Sequence, residues 1–358
     1  MAMEGESREA SEKIIAAAVA QHSWTITTTD NNGMTTALDL SSFMLQYVPP
    51  SIFALNSIVN LDLSNNNLQL VTEELSNLVN LVVLDVHSNR LTSLPHSIGK
   101  LAKLKHLNVS SNLLSSLPHT IEDCTELQEL RADFNELERL PETMGFELIY
   151  LRVLCVSSNK ISFLPSSLSH MTSLRLLDIH LNKLRMLPQD IGNLTNLEKL
   201  NVSSNFNTLS ALPESIGNLS SLRELDLSYN QIIVLPDSFG CLEKLQQLKL
   251  EGNPLLVPPP KIVEEGTEAV KQFMAERWHI KIPPSNRNGN RPRHHKNLLN
   301  RLTKGKWGMK WAGEHGNGNA NNNTLLMDDY NYRSLQEEEG DELRAPRSPF
   351  RQFLSPRR

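Results

Sequence analysis

The side chains with the widest chemical range are two histidines that each follow an aspartate, in Asp85-Val86-His87 and Asp178-Ile179-His180. A His–Asp pair can transfer a proton, and His and Asp together can hold a metal ion. The sequence has no glycine-rich phosphate loop, no Cys-x-x-Cys and no His-x-x-x-His that would gather such groups into a site. We therefore predict no catalytic activity, no metal or other cofactor and no small-molecule substrate.

An asparagine recurs along most of the chain at a nearly constant interval. Counted from Phe43, which takes its place in the first unit, the intervals are 23, 23, 23, 23, 24, 23, 23, 25 and 23 residues. The asparagines are Asn66, Asn89, Asn112, Asn135, Asn159, Asn182, Asn205, Asn230 and Asn253. A leucine-rich unit of about 20–29 residues is typical of leucine-rich repeats. The sequence therefore predicts ten of them.

Each unit has the pattern of a short strand, a turn and a return segment. In one unit Leu104, Leu107, Val109 and Leu114 face a shared core, while the residues between them face outward. The asparagine can pair backbone groups that the turn leaves free, and the Leu-Pro that follows favours an irregular or 3-10 return. We predict an α/β fold: a leucine-rich-repeat solenoid with a curved parallel sheet on its concave side and helical caps.

Four segments follow from these patterns. Apolar residues at helical spacing after the last repeat, among them Val270 and Phe273, predict a cap helix there. The segments are an N-terminal capping helix (9–21) or flexible stretch in 1–34, ten repeats in 35–258, a C-terminal cap helix in 259–280 and a basic, low-complexity, disordered tail in 281–358.

Two repeats are longer than the others. One extra residue between Met144 and Leu151 lies on the convex return arm, where it predicts a bulge. Two extra residues, Asn207-Thr208, enter the loop beside the concave edge of a later repeat. Loops in such places often carry function, so this insertion is either neutral or part of a binding surface.

Outward-facing strand positions do not pack in the core, so the residue types found there can indicate what the protein binds. Most of them are Ser, Asn or Asp, which an unpartnered solvated face would also show. The exceptions lie in the fifth repeat, two repeats further on and two repeats beyond that, and exposed aromatic and Arg residues are typical interface anchors. We predict that this patch binds protein partners. Its residues are Arg131, Asp133, Phe134, Asp178, His180, Leu181, Asp226 and Tyr229.

The tail differs from the repeats in charge. The whole chain has a net charge of −5, but residues 281–358 carry 15 Lys plus Arg against 8 Asp plus Glu. Leu298, Leu302, Trp307 and Trp311 lie among the basic residues, a pattern that suits an anionic membrane surface, a calmodulin-like protein or nucleic acid. The alternative is a disordered basic tail that binds nothing specific.

The N-terminus and the cysteines predict a cytoplasmic protein. Glu4, Glu6 and Glu9 stand where a secretory signal needs positive charge, and no stretch approaches the roughly 20 apolar residues of a membrane span. Three cysteines are too few for a disulfide framework. If the basic tail binds nucleic acid or an anionic membrane, the protein could also be located in the nucleus or at the membrane surface.

The repeat LTSLPHSIGKLAKLKHLNVSSNLL and the closing segment NPLLVPPPKIVEEGTEAVKQFMAERW carry a family resemblance. Together they resemble the plant intracellular Ras-group-related leucine-rich-repeat proteins. Gly266 and Trp278 match the closing signature, whereas Thr267 stands where the family has Val and Phe273 where it has Tyr. The resemblance implies a non-catalytic signalling adaptor, with a small GTPase or a signalling enzyme as a partner by analogy.

Two functions from different classes remain at this point. The first is an adaptor that binds proteins on its concave face in intracellular signal transduction. The second is a membrane-surface or nucleic-acid-associated protein that acts through its basic tail. Sequons such as Asn108-Val-Ser110 and Asn201-Val-Ser203 would suit a secreted protein, but they arise from the Asn and Ser usage of the repeat itself.

Overall fold

The computed structural model describes residues 25–29, 35–206 and 209–281. The expected N-terminal helix at 9–21, the inserted residues Asn207-Thr208 and the tail beyond Lys281 lie outside the described residues.

The described residues hold ten parallel strands, one for each repeat, in a single sheet whose spatial order follows the chain. Neighbouring strands pair in register, so that Leu61 lies beside Leu84 and Leu107 beside Leu130. The predicted parallel sheet of ten leucine-rich repeats is confirmed. The strands are β2 (Thr35–Asp39), β3 (Asn60–Asp62), β4 (Val83–Asp85), β5 (His106–Asn108), β6 (Glu129–Arg131), β7 (Val153–Cys155), β8 (Leu176–Asp178), β9 (Lys199–Asn201), β10 (Glu224–Asp226) and β11 (Gln247–Lys249).

An eleventh strand, β1 (Thr25–Thr29), lies at the N-terminal edge and pairs with β2 in antiparallel fashion. The sequence reading did not predict it, because the stretch lies before the first repeat and inside the segment assigned to a capping helix or flexible stretch. Its sequence TITTT is β-branched throughout and suits an extended backbone. The strand supplies β2 with a hydrogen-bonding neighbour that the repeats cannot provide on that side.

Short 3-10 helices return the chain in most repeats, as the Leu-Pro pairs predict. A proline such as Pro95 or Pro118 precedes the first helical residue, where its fixed φ fits and its missing N–H leaves no donor unpaired. The 3-10 helices span Pro50–Ala54, Glu73–Asn77, His96–Lys100, His119–Asp123, Ser166–His170, Ile191–Asn193, Glu214–Asn218 and Asp237–Cys241.

The extra residue between Met144 and Leu151 changes the type of turn instead of producing a bulge. In this repeat the chain forms a short α-helix, α1 (Met144–Glu147), and Leu148 N–H donates to Met144 O at 3.0 Å. In the neighbouring 23-residue repeat, Cys124 N–H reaches only three residues back, to Ile121 O. One more residue converts an i→i+3 turn into an i→i+4 turn.

The core is a column of leucines with a column of asparagines beside it. Asn135 is representative: its Oδ1 accepts from Leu114 N, and its Nδ2 donates to the carbonyls of Val109, Ala132 and Asp133 at 3.0–3.2 Å. These bonds join two repeats and pair backbone groups that the turn would otherwise bury unpaired. The predicted role of the asparagine in this turn is therefore seen directly.

Two helices follow the last strand, α2 (Pro260–Glu264) and α3 (Thr267–Lys281), with Gly266 at φ +96° between them. Helix α3 buries Val270 and Met274 against the last 3-10 helix, and Arg277 forms an ion pair with Asp237. Gly240 lets the helix come close, because a Cβ there would lie 2.4 Å from Ala275 N. Among the described residues, none of the helices is both long and apolar enough to cross a bilayer.

Candidate protein-binding face

Every repeat places one residue in the left-handed backbone conformation, immediately before the asparagine position. Its φ values lie between 52° and 72°. We call this set the left-handed column. It comprises Ser42, Asn65, Ser88, Ser111, Phe134, Ser158, Leu181, Ser204, Tyr229 and Gly252. The conformation belongs to the turn, so the column has the same backbone whichever side chain stands in it.

Three members of the column are large and apolar: Phe134, Leu181 and Tyr229. They are 60%, 41% and 56% exposed, so the core does not explain them. A bulky residue with positive φ is unusual, and left-handed backbone costs roughly 1–2 kcal/mol for a residue with a Cβ. We call these three the apolar ladder.

The Tyr229 ring has a defined place because the next residue of the column is glycine. A Cβ at Gly252 would lie 2.6 Å from Tyr229 Cδ1, which is too close for any side chain. Gly252 therefore gives the ring its space as well as taking the positive φ of the column.

Two of the predicted binding carboxylates also hold the local backbone. Asp178 Oδ1 accepts from His180 N at 3.1 Å and contacts His180 Nδ1 at 2.7 Å. Asp226 Oδ1 accepts from Ser228 N and Ser228 Oγ at 3.1 and 2.6 Å. One oxygen of each side chain is therefore committed to the turn, and the second oxygen of Asp226 is paired with Lys249.

Repeats five and six depart from this arrangement, because Arg131 and Cys155 stand where most repeats have Asp or Asn. Asp133 takes over the role from a different position: its Oδ1 accepts from Ser157 N at 2.9 Å and Ser157 Oγ at 2.8 Å, one repeat further on. Cys155 is buried, and burial together with the charge of Asp133 raises its thiol pKa to about 12. It is therefore not a reactive thiol.

Arg131 lies in a small charged cluster with Glu129 and His106. Its Nε donates to Glu129 Oε1, and His106 Nδ1 lies 3.2 Å from Glu129 Oε2. Burial raises the pKa of Glu129, but the hydrogen bonds from Arg131 and His106 outweigh burial, and the pKa is lowered overall. Arg131 is thus held against its own strand, with about half of its side chain open to solvent.

A shallow depression of about 210 Å³ crosses strands β8 to β11 and brings Asp178 and Asp226 to one surface. Lys249 Nζ lies 2.9 Å from Asp226 Oδ2, and Lys199 Nζ lies 2.8 Å from Glu224 Oε1. Burial raises the pKa of Asp226, but hydrogen bonds from Ser228 and Lys249 more than compensate and lower it. The depression is therefore lined by paired charges, which suits a polar interface rim.

A second apolar surface was missed by the sequence reading. Phe163, Met186, Val234 and Leu256 are exposed on the flank of the solenoid that follows the asparagine column, and the Arg185 guanidinium lies 5.6 Å above the Phe163 ring. The signal was present in the sequence as a column four residues after the asparagine, at Phe163, Met186 and Val234. In the earlier repeats the same column holds Tyr47, Leu70, Ser93, Ser116 and Arg139, of which Tyr47 and Leu70 are also exposed.

The His–Asp pairs remain isolated from one another. His87 Nδ1 contacts Asp85 Oδ1 at 2.7 Å, as His180 contacts Asp178, but the pairs belong to repeats four apart. That separation is about 19 Å at the spacing of parallel strands. Within the part of the chain that the structure describes, no group of three or more His, Cys, Asp or Glu could hold a metal ion.

Comparison with known proteins agrees with this fold. The family model described as Leucine rich repeat matches residues 79–137 and 195–255. The fold is that of a leucine-rich-repeat solenoid, and the two matched segments agree with it. No curated protein sequence matches the chain.

Several solved structures are similar to the chain. The ectodomain of the plant membrane receptor kinase GASSHO1/SCHENGEN3 from Arabidopsis thaliana, in complex with CASPARIAN STRIP INTEGRITY FACTOR 2, is 32% identical with a TM-score of 0.58. That match covers 65% of this chain and 29% of the ectodomain, so the chain spans less than a third of that relative.

Two further structures align with lower TM-scores. A TDR receptor is 31% identical over 62% of this chain and 43% of its own, with a TM-score of 0.49. A leucine-rich-repeat protein of Leptospira interrogans is 23% identical over 66% of this chain and 81% of its own, with a TM-score of 0.42.

Proposed function

We propose that this protein is an adaptor that binds other proteins and acts in intracellular signal transduction. The binding surface is the side of the sheet on which the outward-facing strand residues lie, which we call the open face. The apolar ladder carries the proposal. Phe134, Leu181 and Tyr229 are large, exposed and held in a strained conformation that serines occupy in the neighbouring repeats. Aromatic side chains surrounded by small polar residues are typical anchors of protein interfaces.

One similar structure, the Arabidopsis ectodomain, was solved in complex with CASPARIAN STRIP INTEGRITY FACTOR 2. That structure supports the use of leucine-rich repeats for holding a protein ligand. The link to signalling, and to a small GTPase or signalling enzyme as the partner, rests on the resemblance of the repeats and the closing segment to the Ras-group-related family.

We place the protein in the cytoplasm, although the similar plant structure is an ectodomain. Cys124, Cys155 and Cys241 are free thiols, as a reducing compartment would leave them. The sequon residue Asn108 uses its Nδ2 to donate to Asp85 Oδ2 at 3.1 Å, so a glycan there would break a contact between repeats. Treating the native protein with a glycosidase tests this: an unchanged electrophoretic mobility is expected, and a shift would indicate secretion.

Proximity labelling in cells tests the adaptor. The full chain is compared with a Phe134→Ser, Tyr229→Ser variant, which keeps the residue type that the column has in other repeats. We expect the double variant to lose the labelled partners, whereas Phe163→Ser on the flank keeps them. Retention of every partner by the double variant would contradict the proposal.

Removal of residues 282–358 separates the adaptor from the tail hypothesis. If the open face binds the partners, the truncated chain keeps them, although its location in the cell can change. If the truncation loses them while the Phe134→Ser, Tyr229→Ser variant does not, the basic tail carries the function.

A further inference from the structure

We propose that the apolar ladder binds one segment of a partner protein in the polyproline II conformation, with an apolar side chain at every third residue and Lys or Arg between. The proposal rests on the proposed function and names the kind of segment that the open face recognises.

The spacing of the ladder is the first argument. Phe134, Leu181 and Tyr229 each lie three residues after the last residue of β6, β8 and β10, so successive ladder residues are two strands apart. Neighbouring strands lie about 4.8 Å apart, which puts the ladder side chains about 9.6 Å apart. A polyproline II helix rises about 3.1 Å per residue with three residues per turn, so equivalent side chains recur every 9.3 Å or so on one side.

Other backbone conformations fit less well. In an extended strand, side chains on one face recur about every 6.7 Å, and residues three apart point to opposite faces. In an α-helix, side chains seven residues apart lie on the same side and about 10.5 Å apart, which is the spacing that comes closest to the ladder interval. Over two intervals the helix is longer than the ladder by about 2 Å. The polyproline II segment stays within about 1 Å over the same length.

The residues between the ladder side chains leave room for a backbone. Ser158 and Ser204 occupy the left-handed column in the intervening repeats. The Ser158 hydroxyl has no hydrogen-bond partner among the described residues, so after a rotamer change it can donate to a carbonyl of the segment. A polyproline II backbone has no internal hydrogen bonds and depends on such donors or on water.

Charge is the second argument. Glu129, Glu224 and Asp226 are paired with Arg131, Lys199 and Lys249. Three other carboxylates of this face, on Asp133, Asp178 and Glu251, have no Lys or Arg nitrogen within 4 Å in the described part of the chain.

Each of these three carboxylates stands beside the ladder. Asp133 precedes Phe134, Asp178 lies three residues before Leu181, and Glu251 O accepts from Tyr229 N. The open face thus offers three carboxylates without a direct Lys or Arg ion pair in the described part of the chain, although His180 contacts Asp178, and Arg131 and Lys249 attract Asp133 and Glu251 from further away. A segment with basic residues between its apolar ones complements both patterns.

The test uses the full chain and a fluorescently labelled synthetic peptide of about twelve residues, Leu-Pro-Arg repeated, in an anisotropy titration. The control peptide has the same composition, but its leucines are spaced two residues apart instead of three. We expect the period-three peptide to bind about tenfold tighter or more, and both Phe134→Ser and Tyr229→Ser to remove that difference. Phe163→Ser on the flank serves as the control variant and should leave the difference intact.

Equal affinity for the two peptides, or a preference that survives both ladder substitutions, would overturn the proposal. The proposed function fails in a different way, when the Phe134→Ser, Tyr229→Ser variant keeps its partners in cells. If that variant loses its partners while the full chain does not distinguish the peptides, the open face binds proteins but not a polyproline II segment.

Discussion

At the residue scale, the asparagine column does most to fix the turn of each repeat. Asn182 shows the same set of bonds as Asn135: its Oδ1 accepts from Ile161 N, and its Nδ2 donates to the carbonyls of Val156, Ile179 and His180. No other side chain of this size has one acceptor and two donors in the required positions. The sequence therefore predicts this residue, and its role, with little ambiguity.

Replacing Asn135 with alanine should lower the free energy of unfolding by about 3 kcal/mol, because buried backbone groups of two repeats lose their partners. Urea denaturation followed by circular dichroism measures the change. Asn196→Ala is the matched control, since its Nδ2 makes a single exposed bond to Thr172 O and should cost under about 1 kcal/mol. Similar losses for both variants would contradict this account.

Acid should weaken the fold through Asp226. Its pKa is lower in the folded protein than its ordinary value of 3.8, so the stability it contributes is complete above that value and is lost as the pH falls through the folded pKa. Asp226→Asn should therefore flatten the decline of unfolding free energy below about pH 4. Chemical denaturation at a series of pH values measures this, and an unchanged pH profile would rule out Asp226 as a contributor.

The surroundings of the candidate binding residues were harder to predict in detail than those of the asparagines. The columns indicate which side chains face outward, so Phe134 and Tyr229 could be chosen from sequence alone. They do not show that Asp178 and Asp226 each commit one oxygen to the turn, or that Asp133 replaces the missing acceptor at Cys155. Those contacts depend on which neighbour supplies the N–H, and a sequence pattern does not contain that information.

At the element scale, close packing of return segments requires glycine. In Gly145, Gly192 and Gly217 a Cβ would come within 2.3 Å of a backbone oxygen of the next repeat. Gly240 has the same function against the cap helix α3, where the nearest atoms are the backbone of Ala275. The periodic pattern predicts where these segments are, but not how closely they approach.

Gly240→Ala should destabilise the C-terminal cap by about 1–3 kcal/mol, because the added methyl group meets backbone and not a mobile side chain. Thermal unfolding gives the size of the effect, and hydrogen exchange of α3 amides shows whether it is local. Ala211→Ser, on an exposed part of a return arm, should leave both unchanged. A stable cap with Gly240→Ala would mean that α3 shifts without cost.

At the scale of the whole molecule, each repeat contacts its neighbours and little else, so stability is close to a sum of local terms. The repeat period predicts this architecture well. The strand at the N-terminal edge was not predictable in the same way, because β1 lies outside the repeats and has no periodic equivalent. It forms by pairing with the otherwise exposed edge of β2.

The reactivity of the three cysteine thiols can be used to test whether the repeats stay closed in the native protein. Cys124 is buried after a return-arm 3-10 helix, where burial raises its pKa to about 12. Cys155 is buried at the end of β7, and Cys241 is exposed near the cap. We expect one thiol to react with a disulfide reagent in the native protein at about pH 8, and the other two only on unfolding. Cys241→Ser should remove the native reaction. A fast thiol remaining in that variant would show that the central repeats open.

The left-handed column has a consequence for how such a protein could acquire new partners. The backbone of the turn is set by the asparagine and the leucines, and the column accepts Ser, Asn, Gly, Phe, Leu and Tyr with nearly the same φ. A substitution there alters the surface of one repeat and leaves the neighbouring repeats in place. Binding specificity can therefore diverge one repeat at a time, and paralogues with the same scaffold and different partners should differ first in this column.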